Sequence, residues 1–190
     1  MKSLYCFLEE LDDHRRDQGV RFRLPSMLTM IIIGYLGGNQ SGKALGRFFK
    51  NNEEDLVKLL GLSHGVPCAT RINTFLKEIN FKKLNDVFRK WMEQYDQPGD
   101  WISIDGKALR STFTGYESCE QNFQAMISVF SQTLGVNKFY GTYENKKENE
   151  PAKVIELLEL LQNKGYTIVL DAVHFQKKLS KRSWSQEMTF

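Results

Sequence analysis

The feature that most constrains the fold of this 190-residue chain is a change of hydrophobic period at residues 97–99. Before this break, apolar residues recur at intervals of three and four, which is typical of amphipathic helices. After it, short runs such as 101–105 alternate polar and apolar residues, which indicates strands. The chain is therefore predicted to have an α+β fold, with a helical domain over residues 1–96 and a second domain from residue 100 onward.

The helical half contains two informative segments. Residues 27–36 form its most apolar run, but a membrane span needs roughly 20 residues; we therefore predict a buried helix and no membrane segment. In residues 65–77, a turn leads into a short helix that exposes Arg71. This arrangement is similar to the second half of a helix-turn-helix, which predicts a DNA contact by Arg71. The alternative is a plain helical hairpin.

The second half is predicted to run strand, strand, strand, helix, strand, with the last strand at residues 167–170. Asp105 follows the first of these strands and Asp171 follows the last. This order is the one expected at the start of a ribonuclease H-like domain, in which the first and fourth strands are neighbours. We therefore expect Asp105 and Asp171 to meet at one edge of the sheet.

Two clustered carboxylates repel each other, and a divalent cation relieves that repulsion. Mg²⁺ and Mn²⁺ prefer oxygen ligands, and a pair of such ions can carry phosphoryl transfer. Asp105 and Asp171 are thus candidate metal ligands, and Lys107 is a candidate phosphate contact. The alternative is that both are solvated carboxylates at strand ends, since Asp-Gly is a common turn pair. Lys147 and Asn149 either form part of a polar loop before the predicted helix or contact the substrate.

Composition restricts the cellular setting more than the activity. The net charge of +3 permits nucleic-acid binding without arguing for it. The three cysteines form no CxxC pair, which favours free thiols in a reducing compartment over a zinc site or a disulfide framework. Because the first residues lack the apolar core of a signal peptide, we expect a cytoplasmic protein.

Three short motifs give the chain a family resemblance. It resembles the H-repeat-associated, ISAs-type transposases of bacterial insertion sequences through an IDGK-x-LR motif, a KxNE motif and a DAxHxQ motif. These motifs match residues 104–110, then Lys147, Asn149 and Glu150, and finally Asp171, Ala172, His174 and Gln176.

The resemblance implies a DDE transposase that cleaves and transfers DNA strands at the ends of its element, with DNA as partner and an oligomer in the full-length family. Asp105 and Asp171 would be the first two catalytic residues and metal ligands. The DNA contacts would come from a set of basic and amide side chains: Lys107, Arg110, Arg71, Lys147 and Asn149.

The end of the chain departs from the family. The third acidic residue of the family lies farther downstream, so we expect a truncated, inactive fragment with an incomplete catalytic domain over residues 100–178. Residues 179–190 do not continue the family pattern, whereas one back-translation read in a shifted frame does. We therefore hypothesise a one-base slip at Lys177 and Lys178. The alternative is an authentic divergent terminus.

Two other functions compete with a transposase remnant. The helical domain alone could be a DNA-binding module or repressor, which a mobility-shift assay at rising salt would test. The chain could also be an unrelated magnesium nuclease, and a magnesium-dependent cleavage assay would distinguish this function from a transposase remnant.

Overall fold

The structure, a computed structural model, describes residues 1–13, 15, 20–109, 112, 123–144, 147, 150–161 and 165–170. The chain divides between Trp91 and Met92 into an N-terminal unit and a C-terminal unit. The first is helical, and the second is built around a sheet, so the expected mixed α+β class is confirmed.

Helices account for the regular structure of the N-terminal unit. They are α1 (Leu4–Leu8), α2 (Leu24–Leu36), α3 (Gly42–Asn51), α4 (Glu53–Leu60), α5 (Ala69–Glu78) and α6 (Phe81–Met92), whose last residue is the first of the C-terminal unit. A 3-10 helix at Glu93–Tyr95 follows in the C-terminal unit. The apolar run predicted to be buried lies in α2, where Met27 and Met30 are fully buried. In the part of the chain that the structure describes, no helix has the length and apolar character to cross a membrane.

Helix α3 packs closely against α5. Ser41 caps α3, because its Oγ accepts a hydrogen bond from the backbone N–H of Ala44 at 3.2 Å. A Cβ placed on Gly46 would lie 3.0 Å from the backbone nitrogen of Ala69. A Cβ on Gly42 would overlap the side chain of Asn73. The two glycines are one helical turn apart, so they allow the backbones of α3 and α5 to approach along one line.

The segment predicted to be similar to a helix-turn-helix has a different geometry. Eight residues, from 61 to 68, connect α4 to α5. A helix-turn-helix joins its two helices by a turn of about 3–4 residues. The compact motif is therefore not formed, because α4 ends with Gly61 in the left-handed conformation and α5 begins only at Ala69. Arg71 nevertheless lies on the exposed side of α5, as expected.

The C-terminal unit contains a sheet of four strands, with order β3-β2-β1-β4. The strands are β1 (Trp101–Ala108), β2 (Gln124–Ser131), β3 (Val136–Glu144) and β4 (Thr167–Leu170), and helix α7 (Glu150–Leu160) precedes β4. Strand β1 is antiparallel to β2 and parallel to β4. The prediction that the first and fourth strands are neighbours is thus confirmed.

Helix α7 covers one face of the sheet. Its buried residues Val154 and Leu157 belong to the same apolar cluster as Ile104 and Ile127. Gly141 of β3 permits this packing, since a Cβ there would lie 3.0 Å from the methyl groups of Leu157. The core of the C-terminal unit therefore lies between α7 and the sheet, and the opposite face of β1 is left more exposed.

Candidate functional site

Asp105 lies within β1 rather than after its end, which corrects the sequence expectation. Strand β1 continues to Ala108, because its pairing with β2 extends through Gly106 and Lys107. Gly106 pairs with Ile127 and does not form the sharp turn that an Asp-Gly pair suggested. The strand is therefore three residues longer than residues 101–105.

The side chain of Asp105 is on the face of the sheet opposite α7. Ile104 is buried against α7 and Asp105 is exposed, as the alternation of a strand requires. Asp105 is paired with Ser128 of β2, whose hydroxyl donates to the backbone carbonyl of Asp105 at 3.4 Å. Among the described residues, the Asp105 carboxylate has no ion-pair partner, so its oxygens are open to a cation from solution.

The pairing of β1 with β4 brings the predicted site positions to one region of the sheet. The last paired residues are Ile104 and Leu170. In the sequence, Asp105 immediately follows the first of these and Asp171 immediately follows the second. Asp171 lies outside the described residues, so the meeting of the two carboxylates stays a prediction.

Two of the four predicted DNA contacts in the C-terminal unit are among the described residues. Lys107 is exposed on β1, two residues after Asp105 and therefore on the same face. Lys147 is exposed and forms an ion pair with Glu144 at 2.8 Å. The hydrogen bond with Glu144, together with its charge, raises the pKa of Lys147. Arg110 and Asn149 lie outside the described residues.

Arg71 belongs to the N-terminal unit. It is the third residue of α5 and lines a hollow of about 400 Å³ together with Arg21, His64 and Cys68. The described lining of the hollow contains two guanidinium groups and no carboxylate. Its chemistry thus favours an anion such as a phosphate.

A metal centre made entirely of described residues is not present: they form no group of three or more His, Cys, Asp or Glu side chains able to hold an ion. Asp105 is the one predicted metal ligand that is described. Its exposed carboxylate is the oxygen donor that Mg²⁺ and Mn²⁺ prefer. The described part of the site therefore fits one ligand of such an ion.

Sequence reasoning missed a polar network at the other end of the sheet. Lys138 is only 2% exposed, and its ammonium group pairs with Asp96 and donates to the hydroxyl of Tyr166 at 2.9 Å. Asp100, also buried, accepts hydrogen bonds from the Ser131 hydroxyl at 2.6 Å and from the backbone N–H of Thr133 at 3.2 Å. These contacts join the segments that enter β1 and β4 to the turn between β2 and β3.

The network changes the acidity of two of its members. Burial on its own would raise the pKa of Asp100, but the hydrogen bonds from Ser131 and Thr133 and the charge of Lys138 outweigh it and lower the pKa. Burial, followed by the hydrogen bond to Asp96, raises the pKa of Tyr166 well above its usual range. Asp100 is thus held as a carboxylate and Tyr166 as a neutral phenol.

The chain is similar to known proteins over most of its length. Residues 5–92 match the family of DDE_Tnp_1-associated domains. "Putative transposase YncI" of Escherichia coli O157:H7 is 26% identical over 185 residues, which make up 96% of this chain and 46% of the relative. "H repeat-associated putative transposase YhhI" of Escherichia coli K12 is 26% identical over 188 residues, or 98% of this chain and 49% of the relative. No solved structure matches the chain significantly.

A further relative is covered more completely. "H repeat-associated putative transposase YbfD" of Escherichia coli K12 is 26% identical over 188 residues, which are 98% of this chain and 73% of that protein. The chain otherwise spans about half the length of the relatives named above, at 46% and 49%.

Proposed function

We propose that this chain belongs to the family of the H repeat-associated transposases and takes part in metal-dependent cleavage and transfer of DNA strands at the ends of an insertion sequence. The matches to these relatives support the resemblance carried by the three sequence motifs. The finer chemistry is our proposal, and it concerns the catalytic domain that we place from about residue 100 onward.

In the proposed site, Asp105 and Asp171 hold Mg²⁺ or Mn²⁺. Such an ion supplies charge neutralisation for phosphoryl transfer, which depends on positioning and electrostatics more than on a covalent group. Lys107 and Arg110 would contact DNA phosphates beside Asp105, and Lys147 and Asn149 would do so before α7. Arg71 would contribute to DNA binding from the N-terminal unit.

The observation that carries the proposal is the parallel pairing of β1 and β4. It ends at Ile104 and Leu170, the residues that directly precede Asp105 and Asp171 in the chain. Ligand sites in sheets with parallel strands usually lie at the carboxyl ends of the strands, and Asp105 lies where the parallel pairing of β1 ends, beside the carboxyl end of β4. The exposed Asp105 carboxylate, without an ion-pair partner among the described residues, supports the same assignment.

Metal binding gives the most direct test. The purified chain is titrated with Mn²⁺ and the free ion is measured by electron paramagnetic resonance. We expect Asp105→Asn and Asp171→Asn each to weaken binding by more than about 100-fold, since loss of a metal's outer-shell partners already costs 10–100-fold. Glu156→Gln removes an exposed carboxylate of α7 and is the matched control. Binding that is equal in Asp105→Asn and the parent would overturn the proposal.

Strand cleavage is measured in parallel. Duplexes carrying the ends of the element are incubated with the chain and Mg²⁺, and nicked products are resolved on denaturing gels. Nicking that requires both Mg²⁺ and Asp105 would support the proposed chemistry and would show that the expectation of an inactive chain is wrong. Nicking that persists in both Asp105→Asn and Asp171→Asn would assign it to other residues.

A further inference from the structure

We propose that the N-terminal unit binds the phosphate backbone of duplex DNA through a basic surface formed by Arg21, Lys43, Arg47 and Arg71. This inference rests on the transposase function proposed above, since that function makes DNA the substrate. It adds a binding surface on α3 that the sequence motifs do not indicate.

Helix α3 contributes the first row of cations. Lys43 and Arg47 are four residues apart, and Lys50 follows three residues later, so all three lie on one face of the helix. All three are exposed, whereas Leu45 and Phe49 on the other side of α3 are fully buried. The basic face is therefore turned to solvent.

The segment 66–68, before α5, connects this row to the cations on its other side. Val66, Pro67 and Cys68 line the hollow that contains Arg21 and Arg71. The same three residues line a second hollow, of about 360 Å³, together with Lys43, Arg47 and Lys50. The cations of both hollows thus lie on either side of the segment 66–68, within the N-terminal unit.

The charges of this basic surface are available to a ligand. Among the residues that the structure describes, no aspartate or glutamate lines either hollow. Within the part of the chain that the structure describes, Arg21, Lys43, Arg47 and Arg71 form no ion pair. Lys50 is different, because it pairs with Glu53 at 2.5 Å, and we leave it out of the basic surface. The basic surface therefore presents four cations without a carboxylate partner among the described residues.

The arrangement is held by the contact between α3 and α5. Because Gly46 approaches the backbone of Ala69 and Gly42 approaches Asn73, the distance between Lys43 and Arg47 on one side and Arg71 on the other is set by backbone packing. Because this packing fixes the positions from which the cations extend, the two helices need not rearrange to bind a polyanion. Exposed Arg and Lys on shallow hollows suit phosphates, which position DNA without reading its sequence.

The test is the salt dependence of DNA binding by the full chain. Fluorescence anisotropy with a labelled 20-base-pair duplex of arbitrary sequence gives the affinity between 50 and 200 mM NaCl. The four cations of the basic surface should contribute about −3.6 to the slope of log K against log salt, in addition to any contribution from Lys107, Arg110 and Lys147, so the full chain should lose at least roughly 150-fold in affinity over this range. For Lys43→Gln/Arg47→Gln we expect the slope to become less steep by about 1.8, which makes the loss of affinity over this range roughly 12-fold smaller than in the parent. Arg71→Gln should reduce the slope by about 0.9.

Matched controls use exposed lysines of the same unit outside the two hollows. Lys58→Gln/Lys82→Gln removes the same charge as the double variant and should keep the parent slope. Thermal melts followed by circular dichroism establish that each variant is folded, and Arg71→Gln tests the surface from a second helix.

Several results would overturn the inference. These are no duplex binding at 50 mM salt, an unchanged slope in both basic-surface variants, or an equal reduction in the control. Tighter binding to an RNA duplex of the same length would assign the surface to RNA instead. Asp105→Asn should keep the parent slope. Metal binding that is equal in Asp105→Asn and the parent, with the expected slopes in the basic-surface variants, would therefore refute the proposed function and leave this inference standing. Metal binding that depends on Asp105, with an unchanged slope in the basic-surface variants, would refute this inference and leave the proposed function standing.

Discussion

Replacing Lys138 with methionine is expected to lower the free energy of unfolding by about 3 kcal/mol, because removing one partner of a buried ion pair costs about 3–5 kcal/mol. The side chain of Lys138 is 3% exposed and that of its partner Asp96 is 17% exposed. Since water partly reaches Asp96, we expect the lower end of that range. Methionine keeps most of the apolar stem of lysine, so the loss of packing is small.

Removing both charges is expected to restore part of the lost stability. In Lys138→Met/Asp96→Asn, neither charge remains, and the double variant should regain at least about 2 kcal/mol of the loss, because an uncompensated buried carboxylate is no longer present. Tyr166 still has a hydrogen-bond partner at position 96, so its hydroxyl is not left unsatisfied.

Equilibrium unfolding in urea, followed by far-ultraviolet circular dichroism, measures the free energies, and hydrogen exchange of β2 and β3 amides locates the effect. Lys147→Met is the control, because it breaks an ion pair with Glu144 in the same unit, but Lys147 is 75% exposed. It should cost less than about 1 kcal/mol. If Lys138→Met lowers the free energy of unfolding by less than about 1 kcal/mol, or the double variant regains none of the loss, the buried pair of Lys138 and Asp96 does not stabilise the fold as proposed.

Three further changes test other parts of the fold. Ser41→Ala removes the cap of α3 and should cost about 1 kcal/mol in urea unfolding, whereas Ser63→Ala, on an exposed loop, should have no measurable effect. Gly46→Val should lower the free energy of unfolding by about 1–3 kcal/mol, because the new Cβ meets the backbone of Ala69. A stability equal to that of the parent would contradict the close packing of α3 and α5. Asp100→Asn should flatten the dependence of stability on pH below about 4. The pKa of Asp100 is lowered in the folded chain, so its stabilisation is present above the unfolded pKa and is lost as pH falls through the folded one. An acid limb as steep in Asp100→Asn as in the parent would exclude this linkage.

Local signals made much of the architecture predictable. Helix α2 contains a continuous apolar run, and α3 begins after Ser41, a residue type that favours the N-cap position. Both helices could therefore be predicted from the local sequence. The order of strands and α7 also followed from periodicity, and it led to the correct neighbour for β1. Asp105 was identified in the same way, as a carboxylate next to apolar strand residues.

Other features depend on tertiary pairing and could not be predicted from periodicity. The register of β2 and β3 shifts between Val129 and Phe130, which leaves Lys138 without a partner on β2. This bulge interrupts the alternation of β3, so Lys138 and Phe139 are both buried. A lysine within a strand is normally predicted to be exposed to solvent. Lys138 is buried instead because its ammonium group contacts Asp96 and Tyr166. The basic surface likewise depends on the α3–α5 contact, which no local pattern indicates.

The pairing of β1 on both sides has a consequence for folding fidelity. If β1 slipped by one residue against β2 and β4, every side chain of the strand would change faces. Asp105 would then enter the apolar layer under α7, and Ile104 would be moved into solvent. An unpaired carboxylate in that layer costs several kcal/mol, so misregistered chains are strongly disfavoured. The acidic residue that we assign to chemistry thus also selects the correct alignment of the strand that carries it.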